Sequence, residues 1–503
     1  MPIDFELSEG SKLSQRHYHA IAKEQMRPIS RRCDLQEHQL PAEWVDYWWN
    51  EGRHGLRNRS PLANDGFVTL CLQAEELCWG DAGLYLRMPT PALGGSAVSS
   101  AGTKEQKQRF LSPFRAEGGH PIWGAMAITE PQAGSDAAAI ETTADFDPDS
   151  EEWILNGIKI FCTAGEGAST ADGGFVVVWA TIDRSAGRGG IKSFVVPANT
   201  PGMQLIGCEK KHGIRASDTA TLRFDDCRVP RDHLLGSAEV KRKDPTKAGD
   251  RGFKGAMATF DASRPIVAAM ATGIGRASLD FLKETLEREG IRVRYDTAPR
   301  KLTAIERDVI EMEAELQAAR LLTWRAAWMM NTGKRNNLEA SMAKAKAGLA
   351  VTHITQKTVQ ILGPVGYSKK LLVEKWMRDA KINDIYEGTQ QINQLIVARR
   401  ILDQPLSPSA PHRLAPETPI MPIDDDLIEI LVCPETRQPV RLAPAETIAR
   451  INAEIDSGRL RNRGGDKLEK HVEEGLLRED GRILYVVDDS IPVMLVDQSI
   501  ELG

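Results

Sequence analysis

Long apolar runs are missing from this 503-residue chain. No stretch approaches the ~18–20 residues that a membrane-spanning helix needs, so no integral membrane association is expected. Residues 1–24 (MPIDFELSEGSKLSQRHYHAIAKE) lack an apolar centre and carry acids, so neither a secretory nor a transit peptide is expected. Basic charge is not in surplus. The 64 Lys+Arg against 70 Asp+Glu leave a net charge of −6, which provides no field for nucleic acid or anionic lipid. Cysteines are few: seven, an odd number, and never in a CxxC pair. Such scattered thiols suit a reduced, cytoplasmic protein better than a disulfide frame. A dinucleotide fingerprint is also absent. Gly273-Ile274-Gly275 lies inside a helical pattern with no strand before it and reads as close helix packing.

What is present divides into segments of different period. Residues 1–120 read as a helical domain. Asp65–Cys78 and Lys104–Phe110 look helical, and Gly80, Gly83, Gly94 and Gly95 punctuate the stretch between them. Trp44, Tyr47, Trp48 and Trp49 suit packing better than a ligand box. Near Pro121 the period drops toward two, and residues 121–240 read as an antiparallel β domain. Asn156-Gly157, between two apolar runs, predicts a two-residue hairpin. Strands are also predicted over Gly174–Ile182, Ile191–Pro197 and Thr219–Phe224. Residues 241–402 return to long helices at Arg264–Arg288, Thr303–Thr332 and Asn336–Leu362, a bundle with an apolar stripe at Leu316, Ala319, Leu322 and Ala326. Residues 403–423 hold six prolines and read as a semi-rigid linker. Residues 424–503 read as a small α+β domain that ends in a strand, a turn and a strand over Arg482–Val496. The fold class is therefore α+β: helices, then a β domain, then a helical bundle, with a tethered extra unit.

One stretch carries the chemistry. In Lys375–Leu402, Ile385-Tyr386-Glu387-Gly388-Thr389 places a single carboxylate on a loop. Thr389 caps the helix that follows, whose Ile392, Leu395, Ile396 and Ile401 fall near helical spacing. Alone, this window also fits a solvated glutamate in a capping turn.

The window does not stand alone. Ala127-Ile-Thr-Glu-Pro-Gln-Ala-Gly-Ser-Asp136, Asn156-Gly-Ile-Lys-Ile-Phe-Cys-Thr163, Ser263-Arg264-Pro265 and Ile385-Tyr-Glu-Gly-Thr389 follow one another in order. With these four motifs, residues 60–402 resemble the acyl-CoA dehydrogenase flavoproteins, and the earlier helices resemble them more weakly. The resemblance implies FAD held between the β domain and the bundle. It implies an acyl-CoA substrate, an electron-transfer flavoprotein as acceptor, and a homodimer or homotetramer. Thr129, Phe161 and Thr163 match positions around the flavin ring. Arg288, Gln360 and Gly363 match positions that reach a neighbouring subunit's cofactor, and Thr389 matches a further cofactor position. Ser135, Tyr386 and Gly388 match the substrate side. Two departures stand out: the Phe-Gly that usually follows the arginine is absent after Arg288, and Pro364 replaces a glycine after Gly363.

The implied reaction is α,β-dehydrogenation to a trans-2-enoyl-CoA, with Glu387 taking the α proton and the flavin the β hydride. The α proton of a thioester is weakly acidic, so the carbonyl must be polarised as charge develops. A glutamate at its ordinary pKa of about 4.3 is a weak base for this task, and a dry pocket raises it. Some relatives carry the base at the position of Ser263, but a serine without a partner is no base. Arg264 fits either electrostatic support of the site or a structural ion pair. An acyl-CoA oxidase using dioxygen and a non-catalytic flavoprotein scaffold are the alternatives. Residues 424–503 resemble a small zinc-ribbon-like family related to tRNA-methyltransferase activators, through Leu431-Val-Cys-Pro434 and Asp489–Val496. Only Cys433 and His471 are available there as ligands, so no metal is expected.

Overall fold

The computed structural model describes residues 6–54, 66–240, 254–402, 428, 431–468, 470–488 and 491–502. The proline-rich linker expected at 403–423 lies outside the described residues. The chain divides into two units, residues 1–403 and 404–503.

The first unit opens with helices α1 (Glu9–Ile21), α2 (Arg27–Leu35), α3 (Ala42–Asn50), α4 (Gly66–Leu86), α5 (Ala92–Ala101) and α6 (Lys104–Leu111). The glycines expected to punctuate this region do so in part: α4 is kinked at Asp81, directly after Gly80, while Gly94 and Gly95 do not interrupt α5. Gly80 and Gly83 lie within α4, and Gly94 and Gly95 lie within α5. They are packing sites: a Cβ on Gly80 would sit 2.9 Å from the Ala22 Cβ, and one on Gly94 would sit 2.5 Å from the Ala125 carbonyl oxygen. The irregular residue in α4 is Asp81, with φ −166° and ψ 120°. Trp44 and Trp48 are core residues beside Ala22, Met26, Leu77 and Leu84, and the Trp44 indole donates to the Leu84 carbonyl at 2.8 Å.

The β domain contains β1 (Gly124–Ala127), β2 (Thr143–Asp147), β3 (Glu152–Thr163), β4 (Phe175–Thr181), β5 (Ile191–Pro197), β6 (Met203–Cys208) and β7 (Thr219–Pro230), with the short helix α7 (Gly165–Thr170) after β3. The sheet runs β1-β4-β2-β3-β7-β6, with β5 also on β4. Most pairings are antiparallel, but β1–β4 and β2–β4 are parallel. The expected hairpin at Asn156-Gly157 does not form. One continuous strand passes through both residues, and the ladder to β7 shifts register between Leu155 and Gly157. The reason is local. A Cβ on Gly157 would lie 2.4 Å from the Thr142 hydroxyl, and the Asn156 side chain is engaged with Asp226 on β7, accepting from its amide at 2.8 Å. The glycine serves a bulge and a close approach rather than a turn.

The bundle contains α8 (Lys254–Arg288), α9 (Ala304–Asn331), α10 (Asn337–Tyr367), α11 (Val373–Ala380) and α12 (Gln390–Leu402). Thr303 and Glu306 form a reciprocal capping box at the start of α9. The expected stripe faces inward: Leu316, Ala319 and Ala326 are buried beside Ile274, Leu282 and Ile354. Pro265 sits inside α8 and cannot donate to the Asp261 carbonyl. The Asn336 side-chain amide fills that gap, donating to the same carbonyl at 3.3 Å. Gly273 is a helix-packing contact, since a Cβ there would lie 2.2 Å from the Glu75 carbonyl oxygen on α4.

The second unit has its own cores, one around Cys433, Leu476 and Tyr485 and one around Ile451, Leu484 and Ile500. Its sheet contains β8 (Val440–Leu442), β9 (Glu474–Arg478), β10 (Ile483–Asp488), β11 (Ile491–Pro492) and β12 (Ile500–Glu501), with helix α13 (Ala445–Asp456). The predicted closing strand–turn–strand is present as β10 paired antiparallel with β11. Cys433 Sγ lies 3.1 Å from the Tyr485 hydroxyl, while the exposed His471 meets Asp456 at 2.7 Å. Among the described residues, no group of three or more His, Cys, Asp or Glu side chains is placed to hold a metal ion. No helix among them is long and apolar enough to cross a membrane.

The α4–α8 contact gives a direct test. Gly273→Ala gains about 1 kcal/mol of helix propensity. The overlap with Glu75 costs roughly 1–3 kcal/mol. A lower midpoint in urea is the expected net result, and an unchanged or raised midpoint would show that the helices part freely.

Candidate active site

Two loops with unusual backbone geometry hold the sequence-predicted residues. On the β-domain side, the β3–β7 ladder shifts register again between Lys159 and Cys162. Phe161, inside that shift, has φ 57° and is 58% exposed, and Ala164 follows at φ 61°. A left-handed conformation costs a residue other than glycine free energy and persists only where its surroundings impose it. The result is an aromatic face turned out of the strand where it would otherwise be core. Thr129 lies alongside, because its carbonyl accepts the Ile160 amide at 2.9 Å. Thr163 pairs with Thr219 across the ladder, so the two hydroxyls share a face. The Thr219 hydroxyl is buried without a hydrogen-bond partner. Ser135 is exposed on the loop between β1 and β2.

A residue pair absent from the sequence expectations holds this half together. Glu130 accepts from the Lys159 ammonium at 2.7 Å, from the Thr142 amide at 3.0 Å and from the Glu141 amide at 2.6 Å. Both charged side chains are buried. Burial pushes the Glu130 carboxyl up, but the Lys159 charge and these hydrogen bonds hold it at about 2. Burial brings Lys159 down to about 8 against the pull of Glu130, so it remains a cation at neutral pH. The pair joins the Ala127–Asp136 motif to the Asn156–Thr163 motif. A lysine inside a strand of otherwise apolar inward positions was the available signal.

On the bundle side, Glu387 has φ 58° and Gly388 has φ 87°. The Glu387 carboxylate accepts from the Ser263 hydroxyl at 2.6 Å. Burial raises its pKa, opposed by the Ser263 hydrogen bond and then by the charges of Arg264 and Lys344. Arg264, only 2% exposed, pairs with Asp261 at 3.0 Å, and burial lowers its pKa. Ser263, considered as a rival position for the base, is instead a donor to the base candidate. The Gly388 carbonyl accepts from the Lys344 ammonium at 2.6 Å and from the Asn393 amide at 2.8 Å. Thr389 caps α12, accepting from the Ile392 amide at 3.2 Å. Tyr386 turns its hydroxyl inward, to Asn383 at 3.0 Å, and packs against the bundle core. A polar chain braces the loop's surroundings: Arg400 donates to Asn337 at 2.7 Å, and Asn337 donates to Asp261 at 2.6 Å.

Three further predicted residues sit apart from both loops. Arg288 is exposed at the end of α8, where its guanidinium bonds the Glu284 carbonyl at 3.1 Å. Gln360 is exposed near the end of α10. Gly363 has φ 54° and ψ −131°, so the α10 pattern is broken there, immediately before Pro364.

Helices, then a sheet, then a bundle, with an outturned aromatic and a half-buried loop carboxylate, define a class of flavin-dependent dehydrogenases. Residues 8–117 match the acyl-CoA dehydrogenase N-terminal domain, residues 125–227 its middle domain and residues 250–402 its C-terminal domain. The chain is 38% identical over 400 residues to the mitochondrial short-chain specific acyl-CoA dehydrogenase of Bos taurus, covering 79% of this chain and 91% of that one. It is 33% identical over 405 residues to acryloyl-CoA reductase (NADH) of Anaerotignum propionicum, covering 80% and 96% respectively. The structure of butyryl-CoA dehydrogenase from Megasphaera elsdenii superposes with a TM-score of 0.67 at 31% identity, over 80% of this chain and all of that one. This chain belongs to the acyl-CoA dehydrogenase family. It is an oxidoreductase of a family that depends on FAD, and the exposed Phe161 face, the Thr129 and Thr163 positions and the unpartnered Thr219 hydroxyl fit that cofactor.

Glu130→Gln leaves the buried Lys159 unpaired, and breaking such a pair costs roughly 3–5 kcal/mol. Because the folded Glu130 pKa lies below the ordinary carboxylate value, its stabilisation is present above about 4.5 and is lost as pH falls toward about 2. The variant is expected to lose thermal stability at pH 7 and to show a weaker dependence on pH over that window. Equal melting temperatures at pH 7 would show that the pair contributes nothing.

Proposed function

We propose that this enzyme dehydrogenates a short-chain acyl-CoA to the trans-2-enoyl-CoA, with Glu387 as the base. The observation that carries this reading is the Glu387 carboxylate. It is held on a left-handed loop, bonded to the Ser263 hydroxyl, and raised in pKa by burial. A general base works best when its pKa approaches the operating pH. Arg264 and Lys344 lower the cost of its charged form without forming an ion pair with it. Gly388, with no side chain, would leave room for the substrate beside the carboxylate, and the Glu387 amide would donate to the thioester carbonyl. Bound FAD would supply the hydride acceptor. Thr129, Phe161, Thr163 and Thr389 would hold it in one subunit. Arg288, Gln360 and Gly363 would hold it from a second copy, in a homodimer or homotetramer. Ser135 and Tyr386 complete the substrate side. The names of the relatives support a short acyl chain, and an electron-transfer flavoprotein is the proposed acceptor.

Anaerobic titration with acyl-CoA thioesters of increasing length, read at the flavin absorbance, tests the substrate class. Bleaching by butyryl-CoA in preference to long chains supports it, and bleaching by long chains alone overturns it. Glu387→Gln should retain flavin and slow reduction by at least about a hundredfold, the scale of a general base. Near-normal reduction would remove Glu387 from that role. In the unsubstituted enzyme the reduction rate should climb with pH through a midpoint above the ordinary glutamate value, since only the ionised carboxylate accepts the proton. Rapid aerobic formation of hydrogen peroxide would favour the oxidase alternative.

A further inference from the structure

Lys344 is an unusual residue for the middle of a bundle helix. It lies on α10 and is 1% exposed, and it makes no ion pair among the described residues. A buried ammonium without a carboxylate partner is costly, so its retention calls for a compensating interaction. Its hydrogen bond goes to the peptide carbonyl of Gly388, the residue after the base candidate. Asn393 donates to that same carbonyl from the first turn of α12. The two donors come from different helices and grip one oxygen, and the two residues of this turn, Glu387 and Gly388, both have positive φ. Such a turn holds its shape only if its surroundings impose it.

We propose that Lys344 is a positioning residue for Glu387: its bond to the Gly388 carbonyl pins the Glu387–Gly388 turn to α10, and its ammonium is the second positive charge, with Arg264, beside the half-buried carboxylate. This rests on the reading of Glu387 as the base. The charged and titratable groups around the pair come from several elements. Arg264 and Asp261 stand on α8, Asp384 lies on the turn before the loop, and Tyr386 lies within the loop with Cys78 of α4 near it. Asp261 is taken up by Arg264 and Asn337, and Asp384 by Lys381 and Thr352. Neither carboxylate neutralises Lys344 by contact. Burial brings Lys344 down to about 8, opposed by Asp384 and Glu387, so it is a cation at neutral pH.

The test uses the full-length, FAD-loaded protein as Lys344→Met, Lys344→Arg and Glu387→Gln. The limiting rate of flavin reduction is measured against pH. The Glu387 carboxyl is titrated separately by infrared difference against Glu387→Gln. Lys344→Met is expected to raise the midpoint of both by about one unit or more, the low end for loss of a nearby opposite charge. Its rate should fall at neutral pH and recover in alkali, and Lys344→Arg should restore the midpoint. A rate lowered equally at every pH, with an unmoved midpoint, would reduce Lys344 to a structural residue and overturn the proposal. An unchanged rate and midpoint would overturn it as well. If Glu387→Gln reduces its flavin normally, the base assignment fails, while the infrared midpoint still reports whether Lys344 acts on that carboxyl. Should Lys344→Met not fold, Lys344→Gln, which keeps an N–H donor without the charge, carries the same midpoint test.

Discussion

A carboxylate that must take a proton inside a protein has to be supported by positive charge without being captured by it. With Glu387 read as the proposed base, the bundle meets this constraint around it. Arg264 is committed to Asp261, and Lys344 is committed to the Gly388 carbonyl. The direct partner of the carboxylate is the uncharged Ser263 hydroxyl. An ion pair at that position would hold Glu387 far below working pH, and no positive charge at all would leave it protonated. Two helices and the loop itself supply these groups, so the setting of the carboxylate depends on how α8 and α10 meet the Glu387–Gly388 turn. Pro265 shows how closely the junction is drawn. It removes a helix donor beside the site, and Asn336 replaces that donor from the start of α10.

The β domain solves a different problem with the same device. An aromatic ring must face outward from a strand whose pattern directs apolar side chains inward. The register shift at Lys159–Cys162 and the left-handed Phe161 turn it. Strain of this kind needs an anchor, and the buried Glu130–Lys159 pair lies immediately before the shift. Both halves of the site therefore combine left-handed residues that are not glycine with a buried lysine nearby. In one half the lysine is paired with a carboxylate and is structural. In the other it has no ion-pair partner among the described residues and donates to the Gly388 carbonyl.

The C-terminal unit shares none of this chemistry. It has its own sheet and its own two cores, and Cys433 and His471 are engaged by different neighbours, Tyr485 and Asp456. Its structure is that of an independently packed α+β module, formed from strands too short to be stable without one another.

The order of helices, sheet and bundle was legible from residue periods, because burial on one face imposes period two on strands and 3.6 on helices. The long helices, the capping Thr389 and the loop position of Glu387 follow from the same local rules. Glycine was read less well. Asn156-Gly157 carries a turn signal and Gly94 looks like a break, yet each lies within a regular element; Gly80 and Gly83 do flank a kink, at Asp81, but are also packing sites. Local sequence records that a side chain is missing there; only the neighbour across the gap, Thr142, Ala22, Ala216 or the Ala125 carbonyl, shows why. The same limit applies to charge. Glu130, Asp261 and Lys344 look like ordinary residues of solvated faces when read in order, and Lys159 stands out only by its inward position in β3. Their hydrogen bonds and ion pairs join residues up to 76 positions apart, and the energy of a buried charge is set by those distant partners. The identity of the candidate base was thus determined by a motif of five residues, whereas the rise of its pKa was decided by burial, against a hydroxyl and two cations that only the bundle brings near.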